Sequence, residues 1–590
     1  MGALFMYKKD IPVDLDSAYD IFQKKDFKNY KDFKLGDWNA RIYKKQFILE
    51  NNWREKGDYL LLVNGTPVYK GYSYSKSLDA IINDLSNNSF NENKMYGFYF
   101  MLFWNKNKKK FNILHDSMFQ YPVYIYEEGN ILSTSFLALT ASIDKGININ
   151  MNSLIEKLCT GFICGTDTLF KEVSKLGYNG GKPLINNKYF IDITKDTYIC
   201  KRKINSESRI KNAKIQIDFL KKQIKSMDKN IKKYGANIGL SGGYDSRLLL
   251  SLLTPKYKKY ISAHSHLTVK SHQKDFNIAK KMAESEDVNF IYKKTVPFSE
   301  QTGYEMEKTI KENIYYFDGQ NDNTYGTFNC TYNKVYRKTV SSGYNVFFTG
   351  LSGEIYRNYR KISKPLILDW FINTHICYIN HEKMFKGENY LKDFKKNMKN
   401  KYFHILDMNP KNIVSSRWIK EFYGQIRFPH KASCAAGAHN QLALYDAPFA
   451  HKLSLENSYK SLNVIGDDAE LEEEMLRYSN KKLSSLPMTK GFKNKGKRLF
   501  YTKILNWFYA RLPMPIVKLR IKMKYNYNKN NVPYILKNCN WLAESFEYVQ
   551  KNCPNLRLDI LLNQSSSYKN LLYTCGVLYL LRENINWNNE

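Results

Sequence analysis

Apolar and aromatic residues in the first 140 positions come in short runs, separated by glycine, asparagine and aspartate. Four of these runs, at 59–63, 96–104, 111–114 and 123–126, are rich in aromatic and β-branched residues. Runs of this composition between turn-forming residues are typical of β-strands. The pattern therefore predicts an antiparallel β-rich domain at the amino-terminal end of the sequence.

The pattern changes at about residue 206. Apolar side chains recur at helical spacing through 206–234, among many lysines, which predicts an amphipathic helix. A short strand at 236–240 then runs through a glycine pair into another helical stretch at 247–253.

A strand followed by a helix recurs at 259–264 and 274–283, and a further strand is expected at 345–349. Strands that alternate with helices are typical of a parallel α/β sheet. Beyond about residue 360 the pattern is mostly helical, as at 470–483 and 572–582. We therefore predict an α+β multidomain protein.

The chain carries 91 basic and 56 acidic residues in 590 positions, a formal net charge of +35. Such a charge favours contact with polyanions, but biased base composition of a genome explains the same excess of lysine. No motif that reads nucleic acid accompanies the charge, so we expect no specific nucleic-acid partner. The basic segment 493–530 encloses an apolar stretch at 499–517. It is typical either of a segment that meets an anionic membrane or lipid-linked acceptor, or of a partly buried helix with a solvated cationic face.

Nine cysteines occur between residues 159 and 575, with no CxxC pair and no cysteine–histidine spacing typical of zinc. We therefore expect neither a disulfide framework nor a structural metal site. The start of the sequence lacks a charged-then-apolar leader, and no run of 18 apolar residues occurs. These features predict a cytoplasmic protein.

The hexapeptide SGGYDS, between a predicted strand and a predicted helix, carries the clearest chemical signal. Gly242 and Gly243 have no side chains, so backbone N–H groups can face inward, where the positive end of the helix also points. Ser241 and Ser246 can add hydroxyl donors. Asp245 places a carboxylate beside bound phosphates, where it can hold magnesium. The loop therefore predicts a phosphate-binding site.

This loop resembles the ATP pyrophosphatase loop of the asparagine synthetase superfamily, whose usual form is SGGxDS. The superfamily includes asparagine synthetases, β-lactam synthetases and the cyclases that close lasso peptides. The resemblance implies a parallel-sheet domain of the adenine nucleotide α-hydrolase type, with ATP and Mg²⁺ as cofactors. In such enzymes a substrate carboxylate attacks the α-phosphorus, pyrophosphate leaves, and an amine then displaces AMP. Backbone donors, cations and magnesium suit this chemistry because pyrophosphate leaves as a multiply charged anion.

A second run, FFTGLSGE, resembles the family's other metal segment, usually written TGxGGDE. The resemblance implies that Gly350 and Gly353 contact the nucleotide and that Glu354 is a magnesium ligand together with the loop aspartate. Two positions depart from the family: Ser352 replaces a glycine, and Ile355 replaces the second acid.

Further segments extend the resemblance. Lys490 lies where related enzymes place a lysine near the α-phosphate, so Lys490 and Asp245 are the expected catalytic residues, with a surface lysine as the alternative for Lys490. The stretch 262–283, which includes Asp275, is similar to the strand and helix that carry adenine and ribose. Arg247 is expected as a helix-start side chain that points to solvent.

The run YDAPFAHKL is similar to the family's RxPFLD segment, with Asp446 in place of the arginine and His451 in place of the final aspartate. By resemblance, Ile355 and Asp446 lie in segments close to the reacting carboxylate, which argues against aspartate as the substrate. The run that begins at Asp318 resembles an acidic loop near the family's active site.

Residues 1–140 resemble a class II glutamine amidotransferase domain, which implies an Ntn-hydrolase-like fold. Glutaminase activity needs a cysteine at the amino terminus, whose own α-amine acts as the base. Gly2 follows the initiator here, and no cysteine occurs before Cys159. We therefore expect a domain that does not release ammonia from glutamine.

The expected organisation is an inactive amidotransferase-like domain at 1–200, an asparagine synthetase-like ATP pyrophosphatase domain at 201–500, and a helical, basic extension at 501–590. The leading hypothesis is an AMP-forming ligase that joins a small-molecule or peptide carboxylate to an amine donor. Two alternatives remain open: an asparagine synthetase that uses aspartate and ammonia, and a catalytically inactive ATP-binding scaffold.

Overall fold

The computed structural model describes most of the chain. The described residues are 2–144, 146–179, 182–183, 190–194, 207–267, 273–321, 334–358, 365–372, 376–377, 381–406, 408–409, 411–466, 468–489, 532–562 and 568–587, with single positions at 504, 508, 516 and 519.

The amino-terminal region is rich in antiparallel β-structure. Its strands are β1 (Leu4–Lys8), β2 (Tyr30–Leu35), β3 (Trp38–Tyr43), β4 (Trp53–Lys56), β5 (Tyr59–Gly65), β6 (Val68–Tyr69), β7 (Met95–Tyr96), β8 (Tyr99–Asn105), β9 (Lys110–His115), β10 (Tyr124–Tyr126), β11 (Ile131–Ser133), β12 (Ile147–Asn148), β13 (Val173–Lys175), β14 (Tyr178–Asn179), β15 (Lys182–Pro183) and β16 (Phe190–Asp192). Its helices are α1 (Leu15–Lys24), α2 (Tyr74–Ser86), α3 (Phe136–Ala141) and α4 (Met151–Thr160).

Two sheets of this region pack face to face, in the orders β13-β10-β11-β1-β3-β2 and β16-β9-β8-β5-β4. Successive side chains of a strand point to opposite faces of the sheet, so neighbouring residues belong to different hydrophobic cores. Met6 and Leu62 meet between the sheets, whereas Phe5 and Leu61 point outward against helices. The helices α1 and α3 cover the first sheet and α2 covers the second, so the region has four layers.

The following region contains a five-stranded parallel sheet in the order β19-β18-β17-β20-β23. The strands beyond the amino-terminal region are β17 (Ala236–Gly239), β18 (Ile261–Leu267), β19 (Asn289–Lys294), β20 (Val346–Phe348), β21 (Leu366–Ile367), β22 (Ile413–Val414), β23 (Leu444–Asp446) and β24 (Ile585–Asn586).

Helices surround this sheet and make up most of the remaining described chain. They are α5 (Arg209–Lys225), α6 (Asp228–Tyr234), α7 (Tyr244–Tyr257), α8 (Gln273–Ser285), α9 (Gly303–Tyr316), α10 (Lys334–Val340), α11 (Leu368–Phe371), α12 (Glu388–Ile405), α13 (Ser416–Phe422), α14 (Phe428–Asn440), α15 (Lys452–Lys460), α16 (Glu470–Ser479), α17 (Lys481–Ser485), α18 (Val532–Asn538), α19 (Asn540–Asn552), α20 (Asp559–Leu562) and α21 (Tyr568–Leu580). None of the described helices combines the length and the apolar character needed to cross a bilayer.

Two expected helices are each divided. The helix expected at 206–234 ends where the N–H groups of Ser226 and Met227 bond to carbonyls three residues back, which tightens the last turn. The helix expected at 470–483 is broken at Asn480, whose side chain caps α17 by accepting from the Leu483 N–H at 2.9 Å. In both cases a local backbone or capping bond overrides the helical periodicity.

The two regions are joined by buried polar contacts. Lys45, only 2% exposed, donates from Nζ to the carbonyl oxygens of Asn440 at 3.3 Å and Ala443 at 3.1 Å. Thr66 donates from Oγ1 to Asn440 Oδ1 at 2.6 Å. The end of α14 and the start of β23 are therefore fixed against the amino-terminal sheets.

Candidate functional site

The predicted phosphate loop lies at the point where the parallel sheet changes direction. From β17 the chain first adds β18 and β19 on one side, and later β20 and β23 on the other. Ligands of open α/β sheets bind at the carboxyl ends of the strands, in the crevice at such a switch point. The loops that follow β17 and β20 therefore frame the natural ligand site of this fold.

Hydrogen bonds inside the loop hold its backbone open. The Ser241 N–H donates to Ser246 Oγ at 3.0 Å, and that hydroxyl in turn donates to the Ser241 carbonyl at 3.1 Å. Gly243 is the residue before α7, and within the described structure no side chain caps the helix there. The first N–H groups of α7 are thus available to an anion, and the helix dipole favours one.

Gly242 is clamped between two other segments. Its N–H donates to Asp275 Oδ1 at 2.8 Å, and Thr489 Oγ1 donates to the same oxygen at 2.6 Å. A Cβ on Gly242 would lie 1.9 Å from Thr489 Oγ1, so only glycine fits. Asp275 therefore lies at the loop. Its Oδ1 accepts from the Gly242 N–H, one of the backbone donors that we expected to face an anion.

The second motif packs directly onto the first. A Cβ on Gly353 would lie 2.3 Å from Asp245 Oδ1, and a Cβ on Gly350 would lie 2.7 Å from the Asp245 carbonyl carbon. Glycine at both positions lets the turn after β20 approach the start of α7 closely. Glu354 follows in a 3₁₀ turn, Gly353–Tyr356. The expected residues of the two motifs are thus brought together: Ser241, Gly242, Gly243, Asp245, Ser246, Gly350, Gly353 and Glu354.

Asp245 is held by a residue that the sequence did not single out. Arg357 donates to Asp245 Oδ1 at 2.8 Å and to Oδ2 at 3.0 Å, and also to Glu472 Oε2 at 2.8 Å. Burial raises the pKa of Asp245, Arg357 opposes this effect, and Glu354 adds to it. Burial likewise raises the pKa of Glu472, which is fully buried. Both carboxylate oxygens of the expected magnesium ligand therefore accept from one guanidinium.

Glu354 remains an anion that faces the cavity. Burial alone would raise its pKa, but the charges of Lys431 and Arg357 outweigh burial and hold the pKa below its usual value. Among the described residues no group of three or more histidine, cysteine or acidic side chains is placed to hold a metal ion.

Arg247 is not a solvent-facing residue, and the sequence-based expectation was wrong. It is fully buried and donates to the carbonyls of Leu483 at 3.0 Å, Leu486 at 2.8 Å and Pro487 at 2.5 Å. These bonds satisfy carbonyls at the end of α17. Arg247 thereby fixes the segment that brings Thr489 to the loop.

A cavity of about 420 Å³ opens in front of the loop. Its wall includes Ser241, Asp245, Ser246 and Glu354, together with residues from β18, β20, β23, α10 and α14: His264, Phe347, Tyr445, Arg337, Lys431 and Cys434. The first three of these lie in segments that the sequence singled out. The last three, Arg337, Lys431 and Cys434, lie outside every motif, and only the fold brings them to the cavity.

Two residues of this wall, His264 at Nδ1 and Tyr445 at Oη, each present a buried atom that has no hydrogen-bond partner in the described structure. Arg337 Nη1 lies 3.1 Å from His264 Nε2. Because a guanidinium can only donate, His264 carries its proton on Nδ1. Buried polar atoms are normally satisfied, so both atoms indicate that the cavity takes a polar ligand.

Asp446 and His451, the altered positions of the RxPFLD-like segment, are bonded to each other. Asp446 is fully buried and pairs with His451 Nε2 at 2.7 Å, while Tyr96 donates to its other oxygen at 2.8 Å. Neither residue lines the cavity, and neither does Ile355. Asp446 and His451 thus contact the amino-terminal region, through Tyr96 and Phe98.

Asp318, from the acidic-loop resemblance, lies at the boundary between the regions and not in the cavity wall. It accepts from Lys25 Nζ at 2.7 Å and from Ser135 Oγ at 2.6 Å.

The amino-terminal region has no room for a nucleophilic side chain at position 2. Gly2 is buried just before β1, and a Cβ there would lie 1.1 Å from the Tyr43 carbonyl oxygen and 2.5 Å from Asn52 Nδ2. Asn64, at the carboxyl end of β5, is fully buried with neither side-chain polar atom bonded in the described structure. The packing thus leaves no space for a larger side chain at position 2.

Two expectations fall outside the described residues. Lys490 is one of them. The basic segment 493–530 is the other, apart from four apolar positions that are exposed: Ile504, Phe508, Ile516 and Leu519.

The chain matches no protein-family model, and no curated protein matches it.

Proposed function

We propose that the chain is an ATP-dependent, AMP-forming carbon–nitrogen ligase of the asparagine synthetase type. It would adenylate a substrate carboxylate, release pyrophosphate and pass the acyl group to an amine. The proposal rests on the contact between the two motifs. The uncapped start of α7 and the turn at Gly350–Gly353 pack against each other at the switch point of the sheet. We accordingly assign the parallel sheet to the ATP pyrophosphatase type and the four-layered region to the Ntn-hydrolase type.

The described residues fit the phosphates of ATP. The glycines of the loop leave space that a Cβ would fill, and the helix start supplies donors without a side-chain cap. The cavity volume of about 420 Å³ is in the range of small-ligand sites. Ser241 and Ser246 would orient the phosphates, and the clamp of Asp275 and Thr489 on Gly242 would hold the loop in shape.

Magnesium fits Glu354 better than Asp245. Glu354 lines the cavity as an anion, whereas both oxygens of Asp245 accept from Arg357. Bound magnesium would stabilise the charge that develops on the departing pyrophosphate. We propose that Glu354 holds the ion and that Asp245 joins it only when Arg357 releases one of its oxygens.

The amine donor is proposed to come from outside the chain. The packing at Gly2 supports an amidotransferase-like region that cannot hydrolyse glutamine, because no side chain fits at the position of the nucleophile. The acyl donor is proposed to be a small-molecule or peptide carboxylate. Asparagine formation from aspartate and free ammonia is the second candidate activity.

An inactive ATP-binding scaffold is the remaining candidate, and the Arg357–Asp245 pair favours it. If the guanidinium never leaves Asp245, the chain would bind ATP without turning it over. This candidate differs from the ligase in one measurable outcome, namely ATP binding without formation of AMP.

The proposal is tested by calorimetric titration of the full chain with ATP in the presence of MgCl₂, with inorganic pyrophosphate as a competitor. The expected result is saturable ATP binding that pyrophosphate reduces. Gly242→Ala is expected to lose this binding, because the new methyl group would displace Thr489 from the loop. Absence of ATP binding by the wild-type chain would contradict both the ligase and the scaffold.

A further inference from the structure

Cys434 lies in the wall of the cavity, on a helix that faces the phosphate loop. The helix α14 presents Lys431, Cys434 and Ala435 to the cavity, one turn apart and on one face. Lys431 is close enough to Glu354 to lower its pKa. The face that carries Cys434 therefore lies opposite the second motif.

The residues around Cys434 resemble an acid–base pair for a thiol. Its Sγ lies 3.7 Å from His430 Nε2, one helical turn earlier, and donates to the Gln320 carbonyl at 2.8 Å. Burial and the charges of Lys175 and Arg427 hold the pKa of His430 well below its usual value. The imidazole is therefore neutral, and a neutral imidazole has one nitrogen that can accept a hydrogen bond or a proton.

Positive charge surrounds this pair. Lys175, on β13 of the amino-terminal region, donates from Nζ to Ser433 Oγ at 2.8 Å, beside Cys434. Burial lowers the pKa of Lys175, and the proximity of Cys434 and Asp116 only partly offsets this effect. A nearby cation in a poorly solvated site favours the thiolate form of cysteine.

The other described cysteines are buried, as Cys434 is, but none of them lines the cavity: Cys159, Cys164, Cys377, Cys539, Cys553 and Cys575. Cys434 also lines a second, smaller cavity of about 30 Å³ that lies between the two regions. It thus stands at the boundary between the ligand cavity and the interior of the molecule.

Two further features mark this part of the molecule as functional. A π-helical turn, Tyr423–Arg427, immediately precedes α14, and such turns frequently occur at functional sites. The orphaned atoms His264 Nδ1 and Tyr445 Oη line the same cavity and independently indicate a polar ligand within it.

We propose that Cys434 is a second reactive centre of the cavity, which takes the acyl group from the adenylate and holds it as a thioester before the amine attacks. This inference rests on the proposed ligase function. The amine would then meet a thioester on α14, not an adenylate at the loop.

The two steps balance. In the first, His430 takes the thiol proton, Cys434 Sγ bonds to the acyl carbon, and the bond from that carbon to the AMP oxygen breaks, so AMP leaves. In the second, the amine nitrogen bonds to the acyl carbon and the carbon–sulfur bond breaks. The thiolate takes its proton back from His430, and the proton lost by the amine passes to solvent.

The test is alkylation of the full chain by iodoacetamide, resolved by cysteine through peptide mass spectrometry, with and without ATP and MgCl₂. We expect Cys434 to react at least about tenfold faster than Cys159, because Cys434 lines the cavity, whereas Cys159 is fully enclosed and burial raises the pKa of its thiol. ATP is expected to slow the reaction at Cys434, since both lie in one cavity. Cys434→Ala identifies the labelled peptide.

Two variants separate a reactive thiol from one that is merely accessible. His430→Gln removes the base and Lys175→Met removes the cation, and each is expected to slow alkylation of Cys434 about tenfold. Thermal unfolding of both variants shows whether they remain folded, and the Lys175 variant keeps the test valid if the other does not. Alkylation of Cys434 no faster than of Cys159, or unchanged in a folded variant, would overturn the proposal.

Failure of the two proposals can be told apart. If Cys434 reacts rapidly and depends on His430 and Lys175, but ATP neither binds nor slows the reaction, the ligase function is contradicted while the reactive thiol stands. If ATP binds but Cys434 is no more reactive than Cys159, the thioester is contradicted and the ligase function stands.

Discussion

Arg357 donates to both carboxylate oxygens of Asp245, at 2.8 and 3.0 Å, and so places a fixed cation on the acid of the SGGYDS loop. The same guanidinium reaches the fully buried Glu472. One guanidinium therefore holds Asp245, at the start of α7, and Glu472, on α16. The geometry of the loop therefore depends on Arg357, which lies in the segment that follows β20.

Arg357→Met is expected to destabilise the fold by about 3–5 kcal/mol, because it leaves two partly or fully buried acids without their counter-ion. The measurement is the free energy of unfolding in urea at neutral pH. Arg477→Met is the matched control: Arg477 is 42% exposed and pairs with acids on its own helix, so a loss of at most about 1 kcal/mol is expected. Equal losses in the two variants would contradict a structural role for the Arg357 pairs.

Gly2→Cys is expected to destabilise the fold and to gain no glutaminase activity. Its Cβ would overlap the Tyr43 carbonyl, and overpacking of this kind costs about 1–3 kcal/mol or more. Thermal unfolding and glutamate release from glutamine are the two readouts. At Gly387 the nearest atom to a new Cβ is 3.7 Å away, so Gly387→Ala should cost about 1 kcal/mol at most. A stable, glutamine-hydrolysing Gly2→Cys chain would refute the packing argument.

Ser352→Gly is expected to stabilise the fold by about 1 kcal/mol. Ser352 has a φ of +69°, in the left-handed region, and its buried hydroxyl has no partner in the described structure. Glycine removes the backbone strain and the unsatisfied hydroxyl, and these gains exceed its larger entropy in the unfolded chain. Ser352→Ala keeps the strain and serves as the control. A melting temperature of the glycine variant at or below that of the alanine variant would be inconsistent with strain at this position.

Lys45 should make stability depend on pH in the alkaline range. Burial holds its pKa well below 10.5, so above the folded-state pKa the unfolded chain binds more protons than the folded chain. The free energy of unfolding therefore rises with pH until the unfolded lysine also loses its proton near 10.5. Relative to Lys45→Met, the wild type should gain up to about 1.4 kcal/mol per pH unit within that window.

Urea unfolding of both chains between pH 7 and 10 measures this difference. Lys28→Met is the control, because Lys28 is 83% exposed, and its difference from the wild type should stay flat. A flat difference for Lys45→Met would mean that Lys45 is not desolvated.

Much of the fold could be predicted from the sequence, because the apolar residues follow clear strand and helix patterns. The strands around residues 59–126 and the sequence of β17, α7, β18 and α8 were predicted to within a few residues, since each is a local pattern of apolar spacing. The breaks at Ser226 and Asn480 were missed. Both depend on backbone bonds or on a cap, which leave little trace in the spacing of apolar residues.

The candidate site was predictable only where one short segment holds its residues. Ser241–Ser246 and Gly350–Glu354 could be singled out because each run resembles a short known motif. Arg357 and Arg247 were missed or misread, because an arginine gives no sign in the sequence of which distant carbonyl or carboxylate it meets. Cys434 and Lys431 could not be predicted either, because they become candidate site residues only through the cavity that the fold creates.

The central claim is tested most directly by phosphorus NMR of the full chain incubated with ATP, MgCl₂ and a pool of amino acids and simple aliphatic and aromatic acids. The wild type is predicted to form AMP and pyrophosphate, and Asp245→Asn, checked for folding by circular dichroism, is predicted to form neither. Formation of ADP and phosphate, or undiminished AMP from the folded variant, would contradict adenylation at this loop.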